Sequence, residues 1–285
     1  MANAGNIMDD NSRNALALQL AQIASDAGRV VMSYRGGRAA VGFKADNSPV
    51  TDADRDSETI IRGSLAHILP DVAIIAEESF DAKNPPPAQA HFILVDPLDG
   101  TREFISGRDE FTVNIAYIED GVPVAGCVYA PALHRIYVAG KIALRAELMP
   151  GGKITSLDQL RPIATVPYSA AGLRALTSRS HDDDKTERFL DTLNIAAHES
   201  CGSSLKFCKV AEGAADVYPR LGPTMEWDTA AAHAVLAAAG GCVIAIDGTP
   251  LRYGKTDAGF RNSGFVAWGR TPIHAPIHAP LPPRA

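Results

Sequence analysis

Apolar residues in the first part of the chain recur at steps of three and four. Leu16, Leu20, Ile23, Ala27, Val30, Val31 and Tyr34 form one stripe, and the pattern predicts an amphipathic helix ended by Gly36-Gly37. A second helix is expected from about Asp52 to Leu69, with Ile60, Ile61, Leu65 and Ile68 inward and Pro70 as its stop. The apolar runs Val72–Ala76 and Phe92–Val95 are too short for helices, and each ends in acidic residues; Asn84–Pro87 between them reads as a loop. From Phe111 the period changes to two. Phe111–Ile118 and Val122–Tyr129 predict a hairpin turning at Asp120-Gly121, a pair suited to positive φ, and Arg135–Val138 extends it.

The stretch Met149–Gly172, rich in Gly, Pro and Ser, marks a boundary between two halves. After it the pattern alternates: strand Arg174–Thr177, helix Asp184–Leu193, helix Ser203–Glu212, strand Asp216–Tyr218, then a helix beginning at Asp228. Residues 1–150 thus read as an α+β half and 151–270 as an α/β half, with 271–285 a Pro-rich tail. His274 and His278 stand four apart in that tail, but Pro276 forbids the helix that would pair them.

Composition narrows the options. The chain has 285 residues, 46% hydrophobic and 21% charged, enough for its own core. A net charge of -6 gives no electrostatic footprint for a nucleic-acid polymer, although a local basic pocket for a small anion stays open. Cys127, Cys201, Cys208 and Cys242 form no C-x-x-C pair and read as buried free thiols. The first residues lack the apolar core of a secretory signal. Ala230–Ile246, interrupted by Gly240-Gly241, reads as a core helix followed by a strand and not as a membrane span. The expectation is a cytoplasmic protein without a membrane partner.

Candidate chemistry concentrates in Asp96-Pro97-Leu98-Asp99-Gly100-Thr101. A strand would deliver the chain into a tight loop where two carboxylates flank the Leu98 carbonyl. Such an oxygen set suits a hard cation like Mg²⁺, and amides after Gly100, if they open a helix, suit a phosphate. An acidic Asx-type turn explains the same residues. Glu77 and Glu78 end another apolar run, where adjacent carboxylates repel unless a cation or solvent takes up the charge. Asp52, Asp54 and Asp228 all sit at predicted helix starts, where capping is the simpler role. The spacing is one residue too long for the Asp-x-Asp-Gly-Thr of haloacid-dehalogenase phosphatases, so a covalent aspartyl route is set aside.

Taken together these blocks resemble the inositol monophosphatase superfamily of Mg²⁺-dependent, lithium-sensitive phosphomonoesterases. The match runs through Pro49-Val50-Thr51 with Asp54, Ala76-Glu77-Glu78-Ser79, the Asp96–Thr101 block, and Trp227-Asp228-Thr229-Ala230-Ala231 to Gly240-Gly241. Within it, Gly202–Cys208, Ala211-Glu212-Gly213 and Asp216–Thr224 are similar to bacterial CysQ-type 3'(2'),5'-bisphosphate nucleotidases. The resemblance implies a layered αβαβα sandwich. It implies two or three Mg²⁺ ions held by Glu77, Asp96, Asp99, Asp228 and the Leu98 carbonyl, with Asp54 and Thr101 activating water. It places substrate against Glu77, Leu98, Asp99, Gly100, Thr101 and Asp228. Ser203, Lys206 and Arg220 match positions serving the second phosphate, and His181 one serving the base. Read from the residues alone, Lys206 could be a solvated helix face, and Arg220 and His181 exposed loop residues. The substrate implied is a small phosphorylated metabolite, adenosine 3',5'-bisphosphate first and its sulfated precursor second. Inositol phosphate, fructose 1,6-bisphosphate and NADP(H) remain alternatives, as does a non-catalytic phosphate sensor. Relatives include monomers and homodimers.

Overall fold

The computed structural model describes residues 8–44, 47–87, 89–179 and 184–272. Helix α1 (Asp10–Ser33) starts where the Asp9 side chain accepts from the Ser12 amide, and it ends before Gly36 and Gly37, both at positive φ. A small hairpin, β1 (Val41–Phe43) and β2 (Pro49–Thr51), leads into α2 (Asp52–Ile68). A capping box opens α2: Thr51 and Asp54 each satisfy the other's backbone amide. Ile61 and Leu65 are fully buried as expected, but Ile60 is 39% exposed. Neighbours on a helix point about 100° apart, so one of the two isoleucines must face out.

The strands that follow are β3 (Ala73–Ala76), β4 (His91–Asp99), β5 (Thr112–Glu119), β6 (Val122–Ala130), β7 (Arg135–Ala139), β8 (Ala143–Glu147) and β9 (Arg161–Pro162). They build a seven-stranded sheet in chain order, antiparallel throughout except for the β3–β4 pair. The hairpin turn falls where expected, with Asp120 at φ 49° and Gly121 at 74°. One expectation changes. The Asp96–Asp99 segment is no loop after a strand; β4 runs through it, with a register irregularity between Asp96 and Asp99 that Pro97 accommodates by making no ladder bond. The five-residue helix α3 (Thr101–Ile105) begins directly after it.

The second half contains β10 (Leu173–Ser178), α4 (Asp184–Leu190), β11 (Ile195–Cys201), α5 (Leu205–Ala211), β12 (Val217–Arg220), β13 (Thr224–Met225), α6 (Ala230–Ala238), β14 (Cys242–Ala245), β15 (Arg261–Asn262) and β16 (Phe265–Trp268). Five of its strands pair in the order β11-β10-β12-β16-β14, and β13 pairs separately with β15. Strand β12 starts one residue later than expected. The Asp216 carboxylate is taken by the Arg174 guanidinium and amide at 2.7 to 2.9 Å, which fixes it before the strand begins. Helix α6 starts at Ala230 with Thr229 in the cap position, so Asp228 does not cap it.

Alternation along the strands sorts the side chains into layers. Ile93, Val95, Val113 and Ile115 face α1 and α2, while Phe92, Leu94, Ala116 and Ile118 face α5 and α6. Phe265 and Ala267 reach the same α5/α6 layer from the small sheet; Val266 and Trp268 pack outward with Phe189 of α4. The sequence of layers is αβαβα. Cys127, Cys201 and Cys208 are buried free thiols, and Cys242 is half-buried. Among the described residues no helix is long and apolar enough to cross a membrane.

Candidate active site

Three elements from distant parts of the chain meet at one end of the large sheet. Glu77 follows β3, Asp96 lies within β4, and Asp228 precedes α6; their carboxylate oxygens lie within 4.8 Å of one another. Asp99 stands at the end of β4, where one oxygen accepts from the Ser204 amide at 2.6 Å and lies 2.9 Å from the Ser204 hydroxyl. Asp228 accepts from the Met225 amide at 3.0 Å and from the Thr224 hydroxyl. These bonds hold the Asp228 carboxylate in place of a capping role.

Such crowding is reflected in proton affinity. Burial, then the charges of Glu77, Asp99 and Asp228, pushes Asp96 well above the usual carboxylate range. Burial drives Glu77 up to about 8, with Lys44 opposing and Asp228 reinforcing the shift. Burial and Asp228 push Asp99 up to about 6, against the charge of Lys206 and the Ser204 bonds. Lys44, at the end of the first hairpin strand, reaches Glu77 at 2.6 Å and Glu78 at 2.7 Å. Burial lowers Lys44, but the two glutamates outweigh it and hold the ammonium charged. Glu78 is thereby committed to Lys44. The remaining set of carboxylates, with the Leu98 carbonyl beside them on the cleft wall, is a hard-oxygen donor set with excess negative charge, and it fits a divalent cation.

Asp54 lies behind this floor. It is 2% exposed, and one oxygen accepts from the Thr51 amide at 2.7 Å and hydroxyl at 2.6 Å. Its other oxygen is 3.1 Å from the Thr101 hydroxyl, which also lies 3.2 Å from the Leu98 carbonyl. Burial raises the Asp54 carboxyl, and the threonine bonds counter it. Thr101 itself faces the cleft.

The cleft has two lobes, of about 160 and 330 Å³, that share Glu77, Asp99, Gly100, Thr101, Arg220 and Asp228. The larger adds Asp96, Leu98 and Trp227; the smaller adds Ser203, Lys206 and Tyr218. Lys206 is not on a solvated helix face. It is 2% exposed, with its ammonium donating to the Ser203 carbonyl at 2.6 Å and the Cys201 carbonyl at 3.2 Å, 5.1 Å from the Tyr218 ring centre. Arg220 donates to the Pro223 carbonyl at 3.2 Å, also bonds the Tyr218 side chain, and lines both lobes. His181 lies outside the described residues. Trp227 is buried against Phe80 at the edge of the larger lobe.

Four functional neighbours were missed by sequence reasoning. Ser204 and Thr224 stood inside the blocks that carry the resemblance, so the signal was present. Lys44 had none, because its partners lie 33 and 34 residues away, and neither had Asn114, whose amide donates to the Ser204 hydroxyl at 3.0 Å.

Comparison with known proteins supplies the remaining finding. The model of the inositol monophosphatase family matches residues 13–271. The chain is 43% identical over 251 residues to the 3'(2'),5'-bisphosphate nucleotidase CysQ of Escherichia coli strain K12, covering 87% of this chain and 97% of that one. The crystal structure of CysQ from Bacteroides thetaiotaomicron, described as a bacterial member of the inositol monophosphatase family, superposes with a TM-score of 0.74 at 35% identity. It covers 90% of this chain and 97% of that one. The inositol monophosphatase of Anabaena sp. PCC 7120 shares the fold, with a TM-score of 0.69 at 24% identity over 90% of this chain and 91% of that one.

Proposed function

The chain belongs to the inositol monophosphatase family, and we propose that it is a metal-dependent 3'(2'),5'-bisphosphate nucleotidase that converts adenosine 3',5'-bisphosphate to AMP and phosphate. The observation that carries this reading is the union in one cleft of an acidic floor with a lobe walled by Ser203, Lys206 and Arg220. A bisphosphate needs both: one phosphate to react, one to be gripped.

Glu77, Asp96, Asp99, Asp228 and the Leu98 carbonyl would hold two or three Mg²⁺ ions. When bound, these would supply positive charge to the phosphoryl group, ease the ionisation of water and stabilise the leaving 3'-oxygen. The protein's own groups do the rest. Thr101 takes a proton from the attacking water as its own hydroxyl proton passes to Asp54, which burial has made a better base than an ordinary aspartate. The water oxygen forms the new bond to phosphorus as the bond to the 3'-oxygen breaks, and that oxygen takes a proton from solvent to become the 3'-hydroxyl of AMP. Asp54 is kept in line by its two bonds from Thr51, so the relay needs no rearrangement. Arg220 grips the second phosphate with its uncommitted donors, while Lys206 shapes the Ser203 loop and contributes charge from beneath.

Phosphate release should be measured with Mg²⁺ on adenosine 3',5'-bisphosphate and on inositol 1-phosphate at matched concentrations. The expected result is a kcat/KM at least about tenfold higher for the nucleotide, the discrimination that one charge-assisted grip supplies. Preference for inositol 1-phosphate would overturn the substrate assignment while leaving the metal chemistry intact.

A further inference from the structure

At the opposite edge of the large sheet, strands β7, β8 and β9 carry a cluster that the reaction does not use. Their register sets Tyr137 opposite Arg145, Arg145 opposite Arg161, and Arg135 opposite Glu147. Cross-strand partners share a sheet face, as do residues two apart on one strand, so these side chains rise together. They line a cavity of about 280 Å³ with Gln159. That is room for several waters, enough for a hydrated tetrahedral anion.

The charges in this cavity do not balance. Arg145 is paired at 2.5 Å with Glu212, which also accepts from the Tyr137 hydroxyl at 3.2 Å. Among the described residues neither Arg135 nor Arg161 makes an ion pair, and Glu147 is the sole acid on the cavity wall. Two like charges directly opposite each other weaken a sheet unless a counter-charge lies between them. Pro162 removes an amide from β9, so this edge is not prepared to pair with another strand. The unpaired guanidinium forks of Arg135 and Arg161, beside Arg145 held by Glu212, wall a cavity that can admit a phosphate group.

We propose that Arg135, Arg145 and Arg161 form a second anion site that takes a phosphate or phosphate-monoester dianion. It is independent of the catalytic reading. From β4 to β8 is four strand spacings of about 4.8 Å, so about 19 Å separates it from the carboxylates. It also requires no metal.

The test is isothermal titration of the full chain in chelator, with inorganic phosphate in one arm and AMP in the other. Wild type should show saturable binding that weakens by about tenfold or more in Arg161→Glu and in Arg135→Gln, both exposed positions whose fold is checked by circular dichroism. Arg220→Ala should weaken AMP binding in the cleft, where that residue grips the same phosphate, and leave the affinity for inorganic phosphate at the arginine cluster unchanged. Tighter binding of phosphate identifies the free ion as the ligand, and tighter binding of AMP identifies a monoester; either supports the site. Absence of saturable binding in both arms, or equal affinity in wild type and the two arginine variants, overturns it.

Discussion

A threonine hydroxyl has one proton to give, and that limits how Thr101 can work. It can place the proton on Asp54 at 3.1 Å or on the Leu98 carbonyl at 3.2 Å, but not on both. Only the first choice leads to a base. If the pair acts as one relay, Thr101→Val and Asp54→Asn should each lower kcat by about 10²- to 10⁴-fold, with KM little changed. The double variant should then be no slower than the worse single one, because the second change removes a link already broken. Losses that multiply would refute the relay. Asp54 also closes the capping box of α2, so its replacement should cost about 1 kcal/mol of stability that Thr101→Val does not. Thermal melts of the two single variants separate the structural role from the chemical one.

At the level of elements, the site depends on how β4 hands over to α3. Gly100 makes that turn at φ 95°, and a Cβ there would stand 3.2 Å from the Glu110 carbonyl and 3.3 Å from Phe111. Those neighbours are mostly backbone and cannot swing aside. Gly100→Ala should therefore cost about 1–3 kcal/mol and lower Tm by a few degrees. It should also abolish turnover, since Asp99 and Thr101 flank the strained residue. A variant with wild-type melting and activity would show that the turn tolerates a side chain. This junction also marks how far the sequence was legible. The long helices and the hairpin could be read because their apolar period repeats over many residues, and α6 because it is apolar on nearly every side. The continuation of β4 through Asp96–Asp99 could not, because Pro97 and Gly100 are turn signals locally and tertiary pairing overrides them. The two-residue strands β9, β13 and β15 carry too few positions for any period. At the site, the carboxylates were visible as motif residues, whereas the burial of Lys206 was not: its partners are main-chain carbonyls, which no side-chain pattern encodes.

Over the whole molecule, the carboxylate floor makes stability depend on pH and metal together. Glu77 has its folded carboxyl up at about 8 against an ordinary value of 4.5, and Asp99 is up at about 6 against 3.8. Between the ordinary and raised values the folded state binds more protons than the unfolded one. Stability from these groups is therefore greatest at low pH and falls as pH rises through the raised values. His233 acts in the opposite sense. Burial, with Arg252 and Lys255 nearby, lowers it to about 3, so it opposes folding only below its ordinary value of 6.5. The interval from about pH 7 to 8 thus reports the raised carboxylates Glu77 and Asp96 without His233. In chelator the protein should lose Tm across that interval. Magnesium should restore it, and by more at pH 8 than at pH 7, because a cation competes with fewer protons for the same oxygens. Scanning calorimetry at both pH values, with and without Mg²⁺, measures all four states. A metal-free Tm that is flat across the interval would mean the carboxylates already share their charge with Lys44 and Lys206. A magnesium increment equal at both pH values would mean the cation binds somewhere other than this floor.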